Sequence, residues 1–249
     1  MISLRNVYKA FDTHVVLDGV DFEVKEGETV ALLGASGVGK SVLLKHMNGL
    51  IQPDSGEVMV DGECVTDLRG EDLARLRRRI GYVFQYGALF DSETVFDNVM
   101  LGITDEDQVK DVGYSGIRVI ECLELVNLEA SVARKYPAEI SGGMKKRVGI
   151  ARAIAGSPTY LLYDEPTSGL DPVNADIIDS LVEKLQSELG MTSVMVTHDV
   201  RGAFRVADRI ALLKDGKIRA MGTAEELAAS DDEAVREFLE RDRKDVIKS

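Results

Sequence analysis

Over the first thirty or so residues apolar and polar positions alternate, with Ile2, Leu4 and Val7 in one run and Val20, Phe22 and Val24 in another. That two-residue period predicts strands of a partly exposed antiparallel sheet. Thr29-Val30-Ala31-Leu32-Leu33 breaks the alternation. It is short and continuously apolar, as a strand covered on both faces should be. A glycine-rich turn and a helical stretch from Lys40 to about Asn48 follow it, the opening of an α/β unit. Glu57 to Val60, closed by Asp61-Gly62, reads as a strand and turn returning to the first sheet, and Ile80 to Phe84 as another buried strand. From about Thr94 to Ala155 the pattern is helical with no clear strand, which predicts a helical insertion.

The α/β pattern resumes at Tyr160-Leu161-Leu162-Tyr163. A long amphipathic helix follows, with Ile177, Ile178, Leu181, Val182 and Leu185 on one stripe. Ser193 to Val196 and Arg209 to Leu213 read as further strands, and Lys214-Asp215-Gly216-Lys217 as a hairpin turn. From Thr223 the chain is charged and helical in pattern, and no repeat or low-complexity linker interrupts it.

Composition narrows the role. No apolar run approaches the ~18–20 residues that span a bilayer, and the start lacks the apolar core of a secretory signal. The protein is expected to stay where it is made and to reach a membrane only through partners. With 30 Lys and Arg against 43 Asp and Glu, the formal charge is −13. That balance argues against non-specific nucleic-acid binding, which needs clustered cations. Cys64 and Cys122 lie far apart and read as free thiols of a reducing compartment, with no zinc site. The basic run Arg75, Arg77, Arg78 and Arg79 reads as a solvated face rather than a lipid or nucleic-acid site.

Three segments carry chemistry. Gly34-Ala35-Ser36-Gly37-Val38-Gly39-Lys40-Ser41 fits G-x-x-x-x-G-K-S/T, with a strand before it and a helix after it. Its glycines let backbone N–H groups curl inward as a phosphate nest, and the helix N-terminus adds its positive end. Lys40 would reach the β- and γ-phosphates, and the Ser41 hydroxyl would ligate Mg²⁺. GTPases, kinases, helicases and transporters share this loop. The buried strand ending in Asp164-Glu165 would direct two acids at the same crevice. Asp164 would hold Mg²⁺, and Glu165 is the candidate general base; a solvated or capping acid pair before Pro166 is the alternative. Ser141-Gly142-Gly143, ahead of a helical run from Met144 to Ala155, offers a hydroxyl, bare N–H groups and a helix N-terminus to an anion. Most such strings are merely an N-cap and flexible glycines.

The ordered set GASGVGKS, Gln85, SGGMKKR, YLLYDEP, SGLD and His198 resembles ABC transporter ATPases from about Leu4 to Gly222. The resemblance implies an α/β P-loop NTPase: a RecA-like core (1–86 and 157–225), an antiparallel β subdomain, a helical signature subdomain (87–156) and a charged helical tail (226–249). It implies a head-to-tail dimer with two ATP molecules at the interface, in which Ser141, Gly142 and Gly143 contact the nucleotide held by the other copy. It further implies that Gln85 ligates Mg²⁺ and couples the site to a membrane partner, and that His198 meets the γ-phosphate and attacking water. Asp171 would organise the partner's site, an ordinary turn acid being the alternative. Phe11 would stack on adenine, with core packing as its rival and Tyr8 as a second candidate. The signature departs from the common form at Met144, where glutamine is usual.

SGGMKKR, the run Gln85 to Phe90 and Thr94-Val95-Phe96-Asp97-Asn98-Val99 look like the ATPases of Mla-type, MCE-linked lipid transporters. The implied cargo is phospholipid or another hydrophobic molecule, with the ATPase on the cytoplasmic face of the inner membrane beside its permease and an MCE-type lipid-binding partner. Tyr86 to Phe90 would receive a coupling helix of the permease, unless it is core of the insertion. An amino-acid importer, a lipoprotein-release system, a non-transport ABC protein and a non-catalytic scaffold are the rivals.

Overall fold

The computed structural model describes residues 1–104 and 111–239. Part of the expected tail, 240–249, therefore lies outside the described residues.

The alternating N-terminal runs form β1 (Ile2–Phe11) and β2 (His14–Val24), paired antiparallel, and β4 (Ser55–Val60) returns antiparallel to β1 with β5 (Glu63–Cys64) at the edge. The two-residue β5 went unread in the sequence because it is too short to show a period. The second sheet has the order β10-β9-β3-β8-β7-β6, from β3 (Thr29–Leu33), β6 (Ile80–Val83), β7 (Tyr160–Asp164), β8 (Thr192–Thr197), β9 (Arg209–Lys214) and β10 (Lys217–Gly222). All neighbours in it are parallel except β9 and β10, which the hairpin at Asp215 (φ 53) and Gly216 (φ 73) joins. Two successive left-handed residues match the twist of a tight hairpin. Phe84, expected in β6, lies beyond it and is exposed.

Two apolar cores flank the parallel sheet. One lies between the sheets and includes Leu4, Val20, Phe22 and Val58 with Leu43 and Met47 of α1 (Lys40–Met47). The other joins the far face of the parallel sheet to α5 (Gly142–Ala155), α6 (Pro172–Leu189) and α7 (Val200–Val206). On α6 the stripe Ile178, Leu181, Val182 and Leu185 is buried, at ~1.5–3 kcal/mol for each side chain removed from water. Asp171 caps α6, Pro172 opens it and Gly190 ends it in the left-handed region.

Between β6 and β7 the described residues hold no strand; the segment carries α3 (Val95–Met100), α4 (Val112–Leu125), two 3₁₀ turns and α5. After β10 a short α8 (Ala224–Ala228) follows, and residues 233–239 are helical.

The basic run differs in part from the expected solvated face. Arg75, Arg77 and Arg78 lie in α2 (Gly70–Arg78), a helix not expected from the sequence, and Arg79 is its C-cap. Arg75 and Arg78 are exposed, but Arg77 donates to the Asn48 and Gly49 carbonyls at the end of α1, and Arg79 bridges Asp61 and Glu63. Cys64 and Cys122 are both free thiols. No helix of the described residues is long and apolar enough to cross a membrane.

Candidate functional site

In the parallel sheet the C-terminal ends of β3, β8, β7 and β6 share one edge, and each delivers a candidate residue there. The glycine loop follows β3, His198 follows β8, Asp164 ends β7 with Glu165 just beyond it, and Gln85 follows β6. A crevice at the carboxyl ends of such strands is where open α/β sheets bind ligands. Here it is a cavity of about 300 Å³ lined by Phe11, Ser36, Gly37, Gly39, Lys40, Ser41, Gln85 and Glu165, together with His14, Val16 and Val42.

The loop is built for close backbone approach. Gly39 has φ 109, and a Cβ there would sit 2.7 Å from Val16 Cγ1. The buried Lys40 amine donates to the carbonyls of Gly34 (2.8 Å) and Ala35 (3.2 Å) and lies 3.4 Å from Glu165 Oε1. Ser41 Oγ donates to Asp164 Oδ1 at 2.6 Å, and Tyr82 donates to Asp164 Oδ2 at 3.0 Å. Burial, then the adjacent Asp164 charge, raises the Tyr82 phenol above its ordinary range, so it remains a donor.

Successive side chains on a strand point to opposite faces, yet Asp164 and Glu165 both reach the cleft. The reason is local: Glu165 adopts φ 50, a left-handed conformation unusual for a residue with a side chain. Its N–H donates to the Val196 carbonyl (2.9 Å), and its carbonyl accepts from Ser168 N–H (3.2 Å) and Lys146 Nζ (3.4 Å). The carboxylate is thereby placed with Oε2 2.7 Å from His198 Nδ1. Gln85 Nε2 donates to Ser168 Oγ at 3.3 Å.

Phe11 is not core: the residue is 44% exposed and lines the cavity, and its ring lies under Lys9 Nζ at 5.3 Å. Tyr8 does not line the cavity. Nor do Ser141, Gly142, Gly143 and Asp171. Ser141 is the N-cap of α5, accepting from Met144 N–H at 3.2 Å, and its hydroxyl proton remains to donate. Asp171 is the N-cap of α6, as a turn acid would be. The Asn174 side chain (2.6 Å), with the Asn174 and Val173 N–H groups, holds its carboxyl below the usual range.

The two signature glycines differ. A Cβ on Gly143 would fall 2.5 Å from Asn174 Oδ1, whereas a Cβ on Gly142 meets no atom within 4 Å. A methyl at 143 would therefore require the Asn174 side chain to move, whereas one at 142 meets nothing within the chain.

Sequence reasoning missed Tyr82, Ser168 and Lys146. Lys146 had a legible signal: with Gly143, Ile150 and Ile154 it falls at helical spacing on the stripe that α5 buries. Lys146 is 7% exposed, and its ammonium is pushed down to about 8, chiefly by burial.

A phosphate-nest loop, a buried lysine and a hydroxyl–carboxylate pair at the mouth of a parallel sheet define a P-loop nucleotide-binding cassette. The sequence profile of the ABC transporter family matches residues 17–168. The chain belongs to that family. It is 46% identical over 206 residues to the methionine import ATP-binding protein MetN of Carboxydothermus hydrogenoformans, a match covering 81% of this chain and 59% of the relative. It thus spans about three fifths of the length of that relative. It is 37% identical over 239 residues to the intermembrane phospholipid transport system ATP-binding protein MlaF of Haemophilus influenzae, covering 96% of this chain and 90% of that one. Among solved structures, the dimeric post-hydrolysis state of the ATP-binding cassette MJ0796 with ADP and Pi superposes with a TM-score of 0.78. It is 36% identical and covers 90% of this chain and 98% of that one.

Proposed function

We propose that two copies of this chain pair head to tail around two Mg-ATP molecules and hydrolyse them to drive a membrane permease. One observation carries the reading. Lys40, Ser41, Gln85 and Glu165 line one cavity, with Asp164 and His198 bonded to its walls, while Ser141, Gly142 and Gly143 lie outside it and Gly142 has open space around its Cα. A ligand arriving from a second molecule explains that space.

The residues fit the groups they would hold. Ser41 Oγ and Asp164 Oδ1 are hard oxygen donors 2.6 Å apart. Mg²⁺ keeps several waters and takes further ligands from phosphate, so these two protein oxygens suit it. Bound there with Gln85, Mg²⁺ would neutralise charge on the phosphate oxygens. Lys40 supplies positive charge at the β- and γ-phosphates. Glu165 accepts a hydrogen bond from a water aligned on the γ-phosphate and takes its proton as the new P–O bond forms and the bond from the γ-phosphorus to the bridging oxygen breaks, releasing ADP. His198 holds one Glu165 oxygen through Nδ1, and with Nε2 protonated as well the ring would also donate to the γ-phosphate. Phe11 presents its ring to adenine. The measurement that tests the pairing is light scattering of Glu165→Gln with and without ATP: a doubled mass only with ATP supports it, and a monomer at saturating ATP sinks it.

The permease reading rests on the segment after Gln85. Tyr86 is 79% exposed and Phe90 57%, while Gly87 is buried and Leu89 packs against the core, so the run turns its two aromatics outward from an anchored loop. The buried Asn98 clasps it, accepting from Phe90 N–H and donating to the carbonyls of Phe90, Glu93 and Thr94. Exposed aromatics on a rigid loop are the kind of anchor a partner helix uses. The ATPase would sit on the cytoplasmic face of the membrane by this contact. For cargo, Met144 and the runs after Gln85 and Thr94 favour phospholipid moved with an MCE-type protein, and the likeness to MlaF agrees. The 46% identity to MetN favours a second reading, amino-acid import. Turnover of the complex purified with its membrane subunit separates them, by stimulation with phospholipid or with methionine.

A further inference from the structure

Lys146 is the buried cation that the reading above leaves without a task. It stands five residues into the stretch that begins at Ser141, on the inner stripe of α5. That stripe lies along the loop from Glu165 to Asn174. Gly143 approaches Asn174, and Lys146 Nζ donates to the carbonyls of Ser168 (2.6 Å) and Glu165 (3.4 Å). The bonded loop is the one whose shape matters. Glu165 is in the left-handed region, a conformation that persists only where the surroundings over-determine it. Ser168, the other residue held, accepts a hydrogen bond from Gln85 Nε2 at its hydroxyl oxygen. A single amine thus fixes both ends of the turn that aims the base and supports the glutamine at the cavity mouth.

We propose that Lys146 is a positioning residue for ATP hydrolysis, clamping the Glu165–Ser168 turn to α5 so that the Glu165 carboxylate meets its water in line. Lys146 does not line the nucleotide cavity, so its removal acts on the chemical step rather than on affinity. This rests on the reading of Glu165 as base.

The test measures Mg-ATP turnover by the full chain, and its affinity for ATPγS, in Lys146→Met, Lys146→Arg and Glu165→Gln. Lys146→Met is expected to lower kcat by about 10–100-fold, the scale of a small misplacement of a catalytic group, with KM and ATPγS affinity within about threefold of the parent. Lys146→Arg keeps charged donors and should recover most of the loss. Near-parental turnover in Lys146→Met, equal damage in Lys146→Arg, or kcat and affinity falling together would each overturn the proposal. Glu165→Gln separates the two claims. If it turns over normally, both the base and its clamp are wrong; if it is dead while Lys146→Met is normal, only the clamp is wrong.

Discussion

His198 Nδ1 and Glu165 Oε2 lie 2.7 Å apart, while the other Glu165 oxygen faces Lys40 Nζ at 3.4 Å. An ionised carboxylate only accepts, so the imidazole carries its proton on Nδ1 in this pair. Both oxygens are steered, and the side chain is held toward the glycine loop. Glu165→Gln should therefore keep ATP bound and lose turnover by about 10²–10⁴-fold, the range of a positioned base. Phosphate release and nucleotide binding on one preparation check it; turnover close to that of the parent would remove Glu165 from the role.

The contrast between Gly142 and Gly143 makes a paired prediction. Gly143→Ala drives a methyl onto Asn174 Oδ1, disturbing the side chain that holds Asp171, and should lower the melting temperature. Gly142→Ala meets nothing within the chain and should leave that temperature unchanged or slightly raised, since alanine favours a helix. Its effect should appear instead in ATP-dependent pairing. Equal melting losses in the two variants would contradict the distinction.

Ser141→Arg places a long cation at the first turn of α5, away from the chain's own cavity. Nucleotide affinity of the single chain should be preserved and ATP-dependent dimer formation abolished. Gel filtration with and without ATP reads this directly, and a normal dimer would remove Ser141 from the contact.

Lys146 gives a pH signature in stability. Burial lowers its ammonium to about 8 from 10.5. The unfolded chain then holds the proton at pH values where the folded chain has shed it, so this group makes stability rise with pH between those limits. Below them the cost of burying the charge is present in full. Lys146→Met lacks the proton. The stability difference, parent minus variant, should move toward the parent by about 1–2 kcal/mol between about pH 7.5 and 9.5. Urea unfolding at the two pH values measures it, and a flat difference would count against a buried ammonium.

Much of this molecule was legible in the chain. The continuous apolar runs at 29–33 and 160–163 announced strands covered on both faces, and the glycine loop and paired acids announced what those strands deliver. Other features were not. Lys146 and Tyr82 act through contacts with residues distant in sequence; helical spacing puts Lys146 on the stripe that α5 buries but does not say which carbonyls its amine meets. The left-handed turn at Glu165 is likewise set by Val196, Ser168 and Lys146 rather than by its own type. Conversely, Ser141 and Asp171 read as partner-facing residues, and the single chain shows them capping helices, a duty compatible with that role.

The placement of Ser141 outside its own cavity has a kinetic corollary. If every working site borrows that turn from another molecule, free chains in dilute solution must collide before they can turn over. Specific activity would then climb with enzyme concentration rather than stay constant. A membrane subunit that holds two copies side by side would replace that collision with a fixed local concentration and straighten the rate law, without touching a single atom of either cleft.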